Sequence, residues 1–599
     1  MTNIMKKIAI VLASFTVLGV LASCDKQLAV QNTNNQTTYD FGNTEADLQE
    51  ALIACYNRIR LEGTFARVGY MHDVVRGDET WNPQNAWYLA ADHLNSDSNY
   101  DVTDQWIWRD CFHVVNRCNF VTSKIEKGSL TGEKIDQIYG QALFLRGLAY
   151  YTLATYYQTV PLFTDYAQYG TLETIYAANV PQDEIFDQIE KDLLKAMELL
   201  PSRDKGGEWA KGRATSGAAA GYLARAYMFR HNYAEALAVL KDILSTADGG
   251  NEKYGHYELM ADYGANFREG ADENNAESLF EVQFMDYGTG GVDEEWTPVN
   301  ISSNATQGHA LEANFGPGSL GGWGDVSMSN WLYNLFKAEK CTDGRLDPRL
   351  YWTAITYEPE YDTYTGVASA AYPGGDPRAN VAFTQPITNL ICTNNDNGGI
   401  AIAKHTNARN NLYASVVTGL HCGVNVRLMR YSDVLLRAAE CENELNGPAN
   451  AVQYINKVRA RVALAPLATT GWTKETLFEQ IANVERPKEF GCENGRGIDL
   501  IRWGFFYSDA RLAQIAEHSR YIFDKDRTLP VTTKNLSASE ATDDSFSSYY
   551  QKGHEYFPMF QGTRNANPNL TGNSANNNTD NGAAWIEKYG TTLHLSVAE

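Results

Sequence analysis

The sequence predicts an all-α protein, a helical repeat scaffold of tetratricopeptide type that carries large, irregular, loop-rich insertions. Three observations support this fold class. Long segments place apolar residues three and four positions apart, the period of an α-helix with one buried face. One of these segments contains a helix–turn–helix pattern of the tetratricopeptide kind. Between the helical segments lie long stretches rich in Gly, Asn, Asp, Tyr and Trp that show no periodicity of their own.

The first 23 residues have the order of a secretory signal. Lys6 and Lys7 precede an almost wholly apolar run, residues 8–20, which is too short to span a membrane as a helix. The run ends in Leu-Ala-Ser-Cys at residues 21–24, which resembles a lipobox. We therefore expect cleavage before Cys24 and a membrane anchor formed by lipid on its sulfur. An anchor with more than one acyl chain holds far more firmly than a single chain.

The residues that follow Cys24 predict a tether. Residues 24–44 are polar and rich in Asn and Thr, a composition typical of a flexible linker between a lipid anchor and a folded body. Beyond the signal, no stretch approaches 18 uninterrupted apolar residues. The sequence therefore predicts no transmembrane helix.

The helical segments form an N-terminal and a C-terminal group. In the N-terminal group, small residues between Ala214 and Gly221 allow two helices to approach closely, and residues 231–233 form the turn of the tetratricopeptide pattern. Pro161 and Pro201 end two of the helices. The predicted helices span residues 48–61, 104–125, 134–157, 183–200, two parts of 212–244, 425–445, 449–462 and 474–489.

Loop-rich sequence occupies residues 249–423 and 531–585. Long loops are uncommon in compact domains and are usually functional or disordered, and loops on a rigid scaffold are where binding residues concentrate. The expected organisation is a signal peptide at 1–23, a lipidated tether at 24–44, an N-terminal helical region with a ligand loop at 45–248, a loop-rich insertion at 249–424 and a C-terminal helical region with loops at 425–599.

Charge and cysteine content exclude several classes of protein. Removing the signal deletes Lys6 and Lys7 and no acid, which takes the net charge from −23 to −25. A surface this acidic repels phosphate backbones, and we therefore expect no nucleic-acid partner. Polyanionic ligands are also disfavoured unless a local basic patch exists. The eight cysteines after Cys24 lack metal-type spacing, and we expect them to be buried thiols.

Catalytic and cofactor motifs are nearly absent. Gly316, Gly318 and Gly321 fit a G-x-G-x-x-G pattern, but no strand precedes it and Pro317 interrupts it. Neither a Walker A sequence nor H-E-x-x-H occurs. The acidic pair Glu294-Glu295 beside Trp296 is the candidate for the two carboxylates of glycoside hydrolysis, although the favoured interpretation is that these are solvated surface acids. We expect no enzyme, no cofactor and no metal.

An aromatic loop near the N-terminus is the strongest candidate for ligand binding. Residues 73–88 place Trp81, Trp87 and Tyr88 among acids, an Arg and amides without periodicity. A sugar ring has an apolar face, which a flat aromatic side chain covers, and a rim of hydroxyls, which polar side chains pair with. Burying about 100 Å² of apolar surface contributes about 2.5 kcal/mol. The alternative is that these tryptophans belong to the core, as we expect for Trp106, Trp108 and Trp503.

Several motifs resemble the SusD/RagB family of outer-membrane nutrient-binding lipoproteins. Residues 430–440, Arg-Tyr-Ser-Asp-Val-Leu-Leu-Arg-Ala-Ala-Glu, are similar to the family's R-Y-[AS]-D-V-L-L-x-x-A-E, and Asn456 to Arg459 to its N-x-V-R. Residues 485–503 are similar to E-R-x-x-E-[LF] followed by E-G-x-R-x-x-D-L-x-R-W. Gly77-Asp78-Glu79 stands where the family has G-D-E. With Cys24, the resemblance spans essentially the whole mature chain.

The resemblance implies a helical scaffold, no catalysis and a position over the extracellular mouth of a SusC-like TonB-dependent β-barrel. It also implies an oligosaccharide ligand bound by a surface aromatic cluster. Peptide or another nutrient as cargo is the alternative, and a surface glycoside hydrolase is disfavoured. The matching site positions are Asp73, Arg76, Asp78, Trp81 and Trp87, with Tyr88 beside them and Trp296 and Trp323 from the insertion.

The charged residues of the C-terminal motifs have a structural interpretation. They recur in helices whose apolar positions face inward, so we expect ion pairs that hold helices together and no contact with ligand. They are Arg430, Asp433, Glu440, Arg459, Glu485, Arg486, Arg496, Asp499 and Arg502.

Overall fold

The computed structural model describes residues 41–82, 86–96, 102–207, 211–245, 250–285, 308–316, 322–355, 400–406, 422–493, 495–518, 550–571 and 581–598. The predicted signal peptide, Cys24 and the tether before residue 41 lie outside these ranges, as do Glu294, Glu295 and Trp296. Helices dominate the described residues, which confirms the predicted all-α class.

The helices follow one another along the chain with few long interruptions. Those before residue 250 are α1 Glu45–Arg58, α2 Val68–Val75, α3 Ala86–Asp92, α4 Val102–Lys127, α5 Glu133–Tyr157, α6 Leu172–Ile175, α7 Gln182–Leu199, α8 Arg203–Gly206, α9 Ser216–Phe229 and α10 Tyr233–Ile243. The later ones are α11 Leu311–Phe315, α12 Asn330–Lys337, α13 Pro348–Thr353, α14 Tyr431–Leu445, α15 Pro448–Arg461, α16 Lys474–Gln480, α17 Arg486–Phe490, α18 Arg496–Arg502, α19 Asp509–Glu517, α20 Gln561–Ala566 and α21 Gly582–Tyr589.

Within the described ranges there are ten short strands, most of which pair with strands distant in sequence. They are β1 Thr80–Trp81, β2 Val160–Pro161, β3 Asn179–Val180, β4 Gly250–Asn251, β5 Gly255–His256, β6 Ser278–Val282, β7 Ser327–Met328, β8 Ala354–Ile355, β9 Ile400–Ile402 and β10 Val426–Arg430. A four-stranded sheet has the order β1-β7-β9-β8, and all its pairs are antiparallel. In a separate pair, β6 runs antiparallel to β10, so strand pairing joins residues 278–282 to the residues that precede α14.

Successive long helices pack as antiparallel hairpins. Tyr139 near the start of α5 donates to Glu126 near the end of α4, while Tyr157 at the end of α5 meets Trp108 near the start of α4. The next pair repeats the arrangement, because Gln182 at the start of α7 donates to the carbonyl of Ala154 near the end of α5. Helices α9, α10, α14 and α15 continue the stack in chain order. This arrangement is consistent with the predicted tetratricopeptide scaffold.

Local sequence explains where several helices begin. Thr44 caps α1 by accepting from the Asp47 amide, and Asp47 accepts in return from the Thr44 amide. Thr215 caps α9 in the same way by accepting from the Ala218 amide. The turn between α9 and α10 includes His231 at φ 59°, and both ring nitrogens of this residue are hydrogen-bonded. The predicted helix–turn–helix is confirmed, but the turn lies at residues 230–232, one residue earlier than predicted, because Tyr233 begins α10.

The predicted helices are confirmed, with two corrections. Residues 426–430 form β10, whereas the sequence predicted helix from residue 425. The alternation of polar and apolar residues that is typical of a strand does not mark this segment, because both of its faces are buried. Arg427 and Arg430 are buried together with their apolar neighbours. The helix predicted over 474–489 contains a wider π-helical turn at Ile481–Glu485. The predicted domain boundaries remain a prediction.

The core is continuous from α1 to α21. Residues as far apart as Leu48 and Trp585 belong to one cluster of buried apolar side chains. Trp106, Trp108 and Trp503 lie in this cluster, as predicted. Seven cysteines in the described ranges are buried free thiols, also as predicted, and Cys392 lies outside those ranges. Among the helices that the structure describes, none has the length and apolar character needed to cross a membrane.

Candidate functional site

Two of the predicted ligand-binding tryptophans, Trp87 and Trp323, meet around one arginine. The Arg67 Cζ atom lies 4.9 Å from the ring centroid of Trp87 and 5.7 Å from that of Trp323, over the face of each indole. Trp323 is 40% exposed and Trp87 is half-buried, whereas Arg67 itself is buried. We call these three residues the indole cluster. The two indoles form an aromatic surface, and the buried guanidinium of Arg67 stabilises it through cation–π contacts.

The position of Trp323 depends on a tight crossing of the backbone. Its amide donates to the carbonyl of Ala313 at 2.6 Å, and the Gly324 amide donates to the carbonyl of Gly316 at 2.9 Å. Gly322 lies so close to Gly316 that an added Cβ would stand 2.1 Å from the Gly316 carbonyl oxygen. Only glycine fits at this position. Gly316, Gly322 and Gly324 therefore support the position of the indole.

Gly322→Ala is therefore expected to displace Trp323. Overpacking of this kind costs about 1–3 kcal/mol, and ligand affinity should fall because the exposed indole moves. Thermal melts and calorimetric titration would measure both effects. Gly170→Ala is the matched control, since its new Cβ would meet the Ala167 carbonyl oxygen at 3.1 Å, a contact that a small local shift relieves. Unchanged affinity in Gly322→Ala would show that this crossing does not position the ligand surface.

Trp87 and Arg67 are set by the segment between α1 and α4. Trp87 stands in the first turn of α3 and meets Trp106 of α4 edge to face, with ring centroids 5.6 Å apart. Arg67 follows a π-helical turn at Glu62–Ala66, and its Nη2 donates to Glu62 at 2.5 Å. This buried ion pair fixes the guanidinium under the two indoles. Arg67 is therefore a positioning residue for the aromatic surface.

The structure corrects the predicted exposure of Asp73 and Arg76. Both are buried. Asp73 lines a cavity of about 40 Å³, which has room for a water molecule but not for a sugar ring. Burial raises the pKa of the Asp73 carboxyl to about 7, although Arg76 and the Gly495 amide oppose that shift. Arg76 donates to the carbonyl of Glu555, and its guanidinium lies 4.3 Å from the ring centroid of Phe557.

Asp78, Trp81 and Tyr88 are also interior residues, and the expectation that they form an exposed surface is wrong. Asp78 accepts from Arg496 Nε at 2.7 Å and contacts His518 Nδ1 at 2.7 Å. Trp81 is 3% exposed and lies in β1, paired with Ser327. Tyr88 is fully buried. These three side chains hold the N-terminal loop against the insertion and the C-terminal helices.

Arg67 is the residue that sequence reasoning missed. It lies outside the aromatic loop at residues 73–88, between a π-helical turn and α2, where no family motif marks it. The sequence did contain one signal for Arg67. Glu62 and Arg67 carry opposite charges and lie in a segment that is too short and irregular for a surface helix, which suggests that the two residues pair. Trp296, another predicted site residue, lies outside the described residues.

The charged residues of the C-terminal motifs form buried ion networks, as predicted. Arg430 contacts Glu277 at 2.6 Å, Glu489 at 2.9 Å and Glu493 at 2.8 Å. The guanidinium groups around Glu489 and Glu493 hold the pKa of both carboxyls below the usual range despite their burial. The remaining pairs join Asp433 to Arg225, Arg437 and Arg486, Asp499 to Arg486 and Arg502, Glu440 to Arg502, Glu485 to Arg459, and Asp78 to Arg496.

These networks supply their own counter-charges. Each carboxylate in them is matched by at least one guanidinium, so the cation that it needs is already supplied by the protein. Within the described ranges, no three His, Cys, Asp or Glu side chains are grouped as metal ligands. The networks therefore serve the architecture, and the indole cluster is the candidate ligand site.

The structure is thus a stack of helical hairpins that carries an exposed indole, Trp323, beside a half-buried one, Trp87. The chain belongs to the SusD family, whose model matches residues 276–576. A second model, described as "Starch-binding associating with outer membrane", matches residues 26–228. The family predicted from the sequence motifs is thereby confirmed.

Known relatives cover most of the chain at low identity. SusD-like protein P25 of Formosa agariphila is 24% identical over 488 residues, which are 78% of this chain and 84% of the relative. A SusD superfamily protein from Bacteroides vulgatus shares the fold with a TM-score of 0.66 and 22% identity, over 89% of this chain and 99% of its own. Surface glycan-binding protein A from Bacteroides thetaiotaomicron has a TM-score of 0.61 and 21% identity, over 88% and 98%.

Proposed function

We propose that this protein binds oligosaccharide through its indole cluster at the outer cell surface and delivers it to a SusC-like TonB-dependent β-barrel transporter. The observation that carries the proposal is the convergence of Trp87 and Trp323 on Arg67. An exposed indole covers the apolar face of a sugar ring, and the buried cation keeps both indoles in place. The membership of the SusD family and the likeness to a surface glycan-binding protein support the same conclusion.

Binding without turnover distinguishes this function from its alternatives. Purified protein would be titrated calorimetrically with a panel of neutral and acidic oligosaccharides and with a pool of peptides, and each mixture would then be analysed for products. We expect saccharide binding in the micromolar to millimolar range, about −8 to −4 kcal/mol, and no products. Peptide binding alone would support the alternative cargo, and released shorter saccharides would indicate a hydrolase.

Lipid attachment at Cys24 is part of the proposal. The positive residues, the short apolar run and the Leu-Ala-Ser-Cys sequence at 21–24 support cleavage before this cysteine. We expect the native protein to begin at Cys24 and to carry acyl chains. Mass spectrometry of the N-terminal peptide checks both expectations. A Cys24→Ala variant serves as the control and should lack the acyl mass, and an unmodified N-terminus further along the native chain would contradict the proposal.

The transporter partner has its own test. Native complexes would be purified through an affinity tag on this protein from membranes dissolved in mild detergent. We expect a large β-barrel protein in near-equal amount, because the proposed delivery of ligand requires a stable contact. Recovery of this protein alone would count against the partnership but would leave the binding function intact.

A further inference from the structure

A polar cavity lies between the segment that joins α8 to α9 and the residues that lead into β6. Its volume is about 270 Å³, and we call it the β6 cavity. This is room for about nine water molecules at about 30 Å³ each, and it lies just below the range of about 300–1,000 Å³ that is usual for small-molecule sites. A single sugar ring with its hydroxyls is therefore the size of ligand that fits. The residues of the indole cluster do not line this cavity, so the two places are separate.

The walls of the β6 cavity contain both hydrogen-bond donors and acceptors. Guanidinium and ammonium groups donate, carboxylates accept, and a sugar hydroxyl does both, so it can pair with either kind of wall. The aromatic side chain among the lining residues, Phe280, is buried, so hydrogen bonds and not stacking would hold a ligand here. The charged residues that line the cavity are Arg203, Asp204, Lys211, Arg213 and Glu281.

Asn274 fixes one wall of the cavity in a conformation that most residues avoid. Its φ is 51°, in the left-handed region. The Asn274 side chain accepts from the Gly212 amide at 3.1 Å and donates to Gln283 at 2.9 Å. Its backbone amide donates to Glu281 at 3.0 Å, and its carbonyl accepts from Arg203 at 3.2 Å. Backbone strain of this kind persists only where the surroundings enforce it, and it clusters at functional sites. This wall is therefore already formed before any ligand arrives.

Ser278, the first residue of β6, brings an unpartnered hydroxyl to the cavity. Its residue is 8% exposed and lines the cavity, and its carbonyl accepts from Arg203. The side-chain hydroxyl makes no hydrogen bond with any residue that the structure describes. The large majority of buried polar groups have a partner, so one without a partner needs an explanation. A hydroxyl of a ligand in the cavity would supply that partner, because both groups can donate and accept.

We propose that the β6 cavity is a second ligand site, which binds a single neutral sugar residue through hydrogen bonds. This inference goes beyond the proposed function, which places an oligosaccharide on the indole cluster. Because the wall at Asn274 is already formed, little conformational entropy is lost when a ligand enters. Ser278 gives one hydroxyl of the ring a fixed partner. The charged walls include donors as well as acceptors, so they bind hydroxyls without requiring a charge on the ligand.

The test uses free monosaccharides, which are small enough to enter the cavity. The purified protein and its Trp323→Ala variant would each be titrated calorimetrically with glucose, galactose, mannose, xylose and N-acetylglucosamine. We expect at least one of these sugars to bind with a Kd in the millimolar range, and to bind the Trp323→Ala variant equally well, because the β6 cavity does not include the indole cluster. If none of the five sugars bound, or if binding disappeared in Trp323→Ala, the inference would be overturned.

Two serine variants locate the monosaccharide. Ser278→Ala should weaken its binding about fivefold, the effect of losing one hydrogen bond. Ser96→Ala is the matched control and should change nothing, because Ser96 is also buried with an unpartnered hydroxyl but lies outside the cavity. Equal affinity in Ser278→Ala and the natural protein would overturn the inference. The proposed function is tested separately, since oligosaccharide binding that depends on Trp323 would stand whatever the monosaccharides show.

Discussion

Arg430→Ala is expected to lower the free energy of unfolding by about 3–5 kcal/mol, because it leaves three buried carboxylates without their shared cation. The guanidinium of Arg430 contacts Glu277, Glu489 and Glu493, and all four side chains are buried. Removing one partner of a buried ion pair costs far more than the pair contributes when intact, since the remaining charge has lost its access to water. Urea unfolding monitored by circular dichroism measures the loss.

An exposed ion pair supplies the control for this variant. Arg345 contacts Asp343 at 2.6 Å, but both side chains are about half exposed, so Arg345→Ala should cost about 0–1 kcal/mol. Ligand affinity should stay unchanged in both variants at temperatures where they are folded. If Arg430→Ala unfolded at the same urea concentration as the natural protein yet lost its ligand, Arg430 would belong to the binding site and our structural assignment would be wrong.

Trp323→Ala should weaken oligosaccharide binding about thirtyfold, the equivalent of losing one stacked ring worth about 2 kcal/mol. Stability should change less than for a core tryptophan, because the indole is 40% exposed and is not part of the core cluster. Calorimetric titration gives the affinity and thermal melts give the stability.

Trp81→Ala is the matched comparison for Trp323→Ala. Trp81 is a tryptophan that the sequence placed in the same surface, but it is 3% exposed. Truncating a buried tryptophan costs about 3–5 kcal/mol of stability. We therefore expect the reverse outcome, with a lower melting temperature and unchanged affinity while folded. If Trp323→Ala were destabilised and kept its affinity, the ligand surface would lie elsewhere on the molecule.

The scaffold was predictable because its signals are local. Each long helix repeats apolar residues at helical spacing, and α4, α5, α7 and α15 begin and end within two residues of the predicted bounds. The helix–turn–helix formed by α9 and α10 was predictable for the same reason. The strand β10 was not, because both of its faces are buried and its arginines are neutralised by acids far away in sequence.

The candidate site was only partly predictable because exposure is decided by distant residues. Asp78 and Trp81 lie in a polar stretch that suggests a surface loop, but Asp78 is paired with Arg496, 418 residues further on. Trp87 lies a few positions away and reaches the surface. Nothing in the local sequence separates the two cases.

The long-range pairing of the N-terminal loop bears on when this chain can fold. Arg76 donates to a carbonyl 479 residues away, and the partner of Asp78 is 418 residues away. The segment that presents Trp87 therefore cannot be completed until the C-terminal helices have been synthesised and have docked. Contacts of such high sequence separation slow folding, because closing the long loops costs entropy before any contact compensates for it. The N-terminal half of the chain therefore reaches its complete native structure late, after the C-terminal helices have formed.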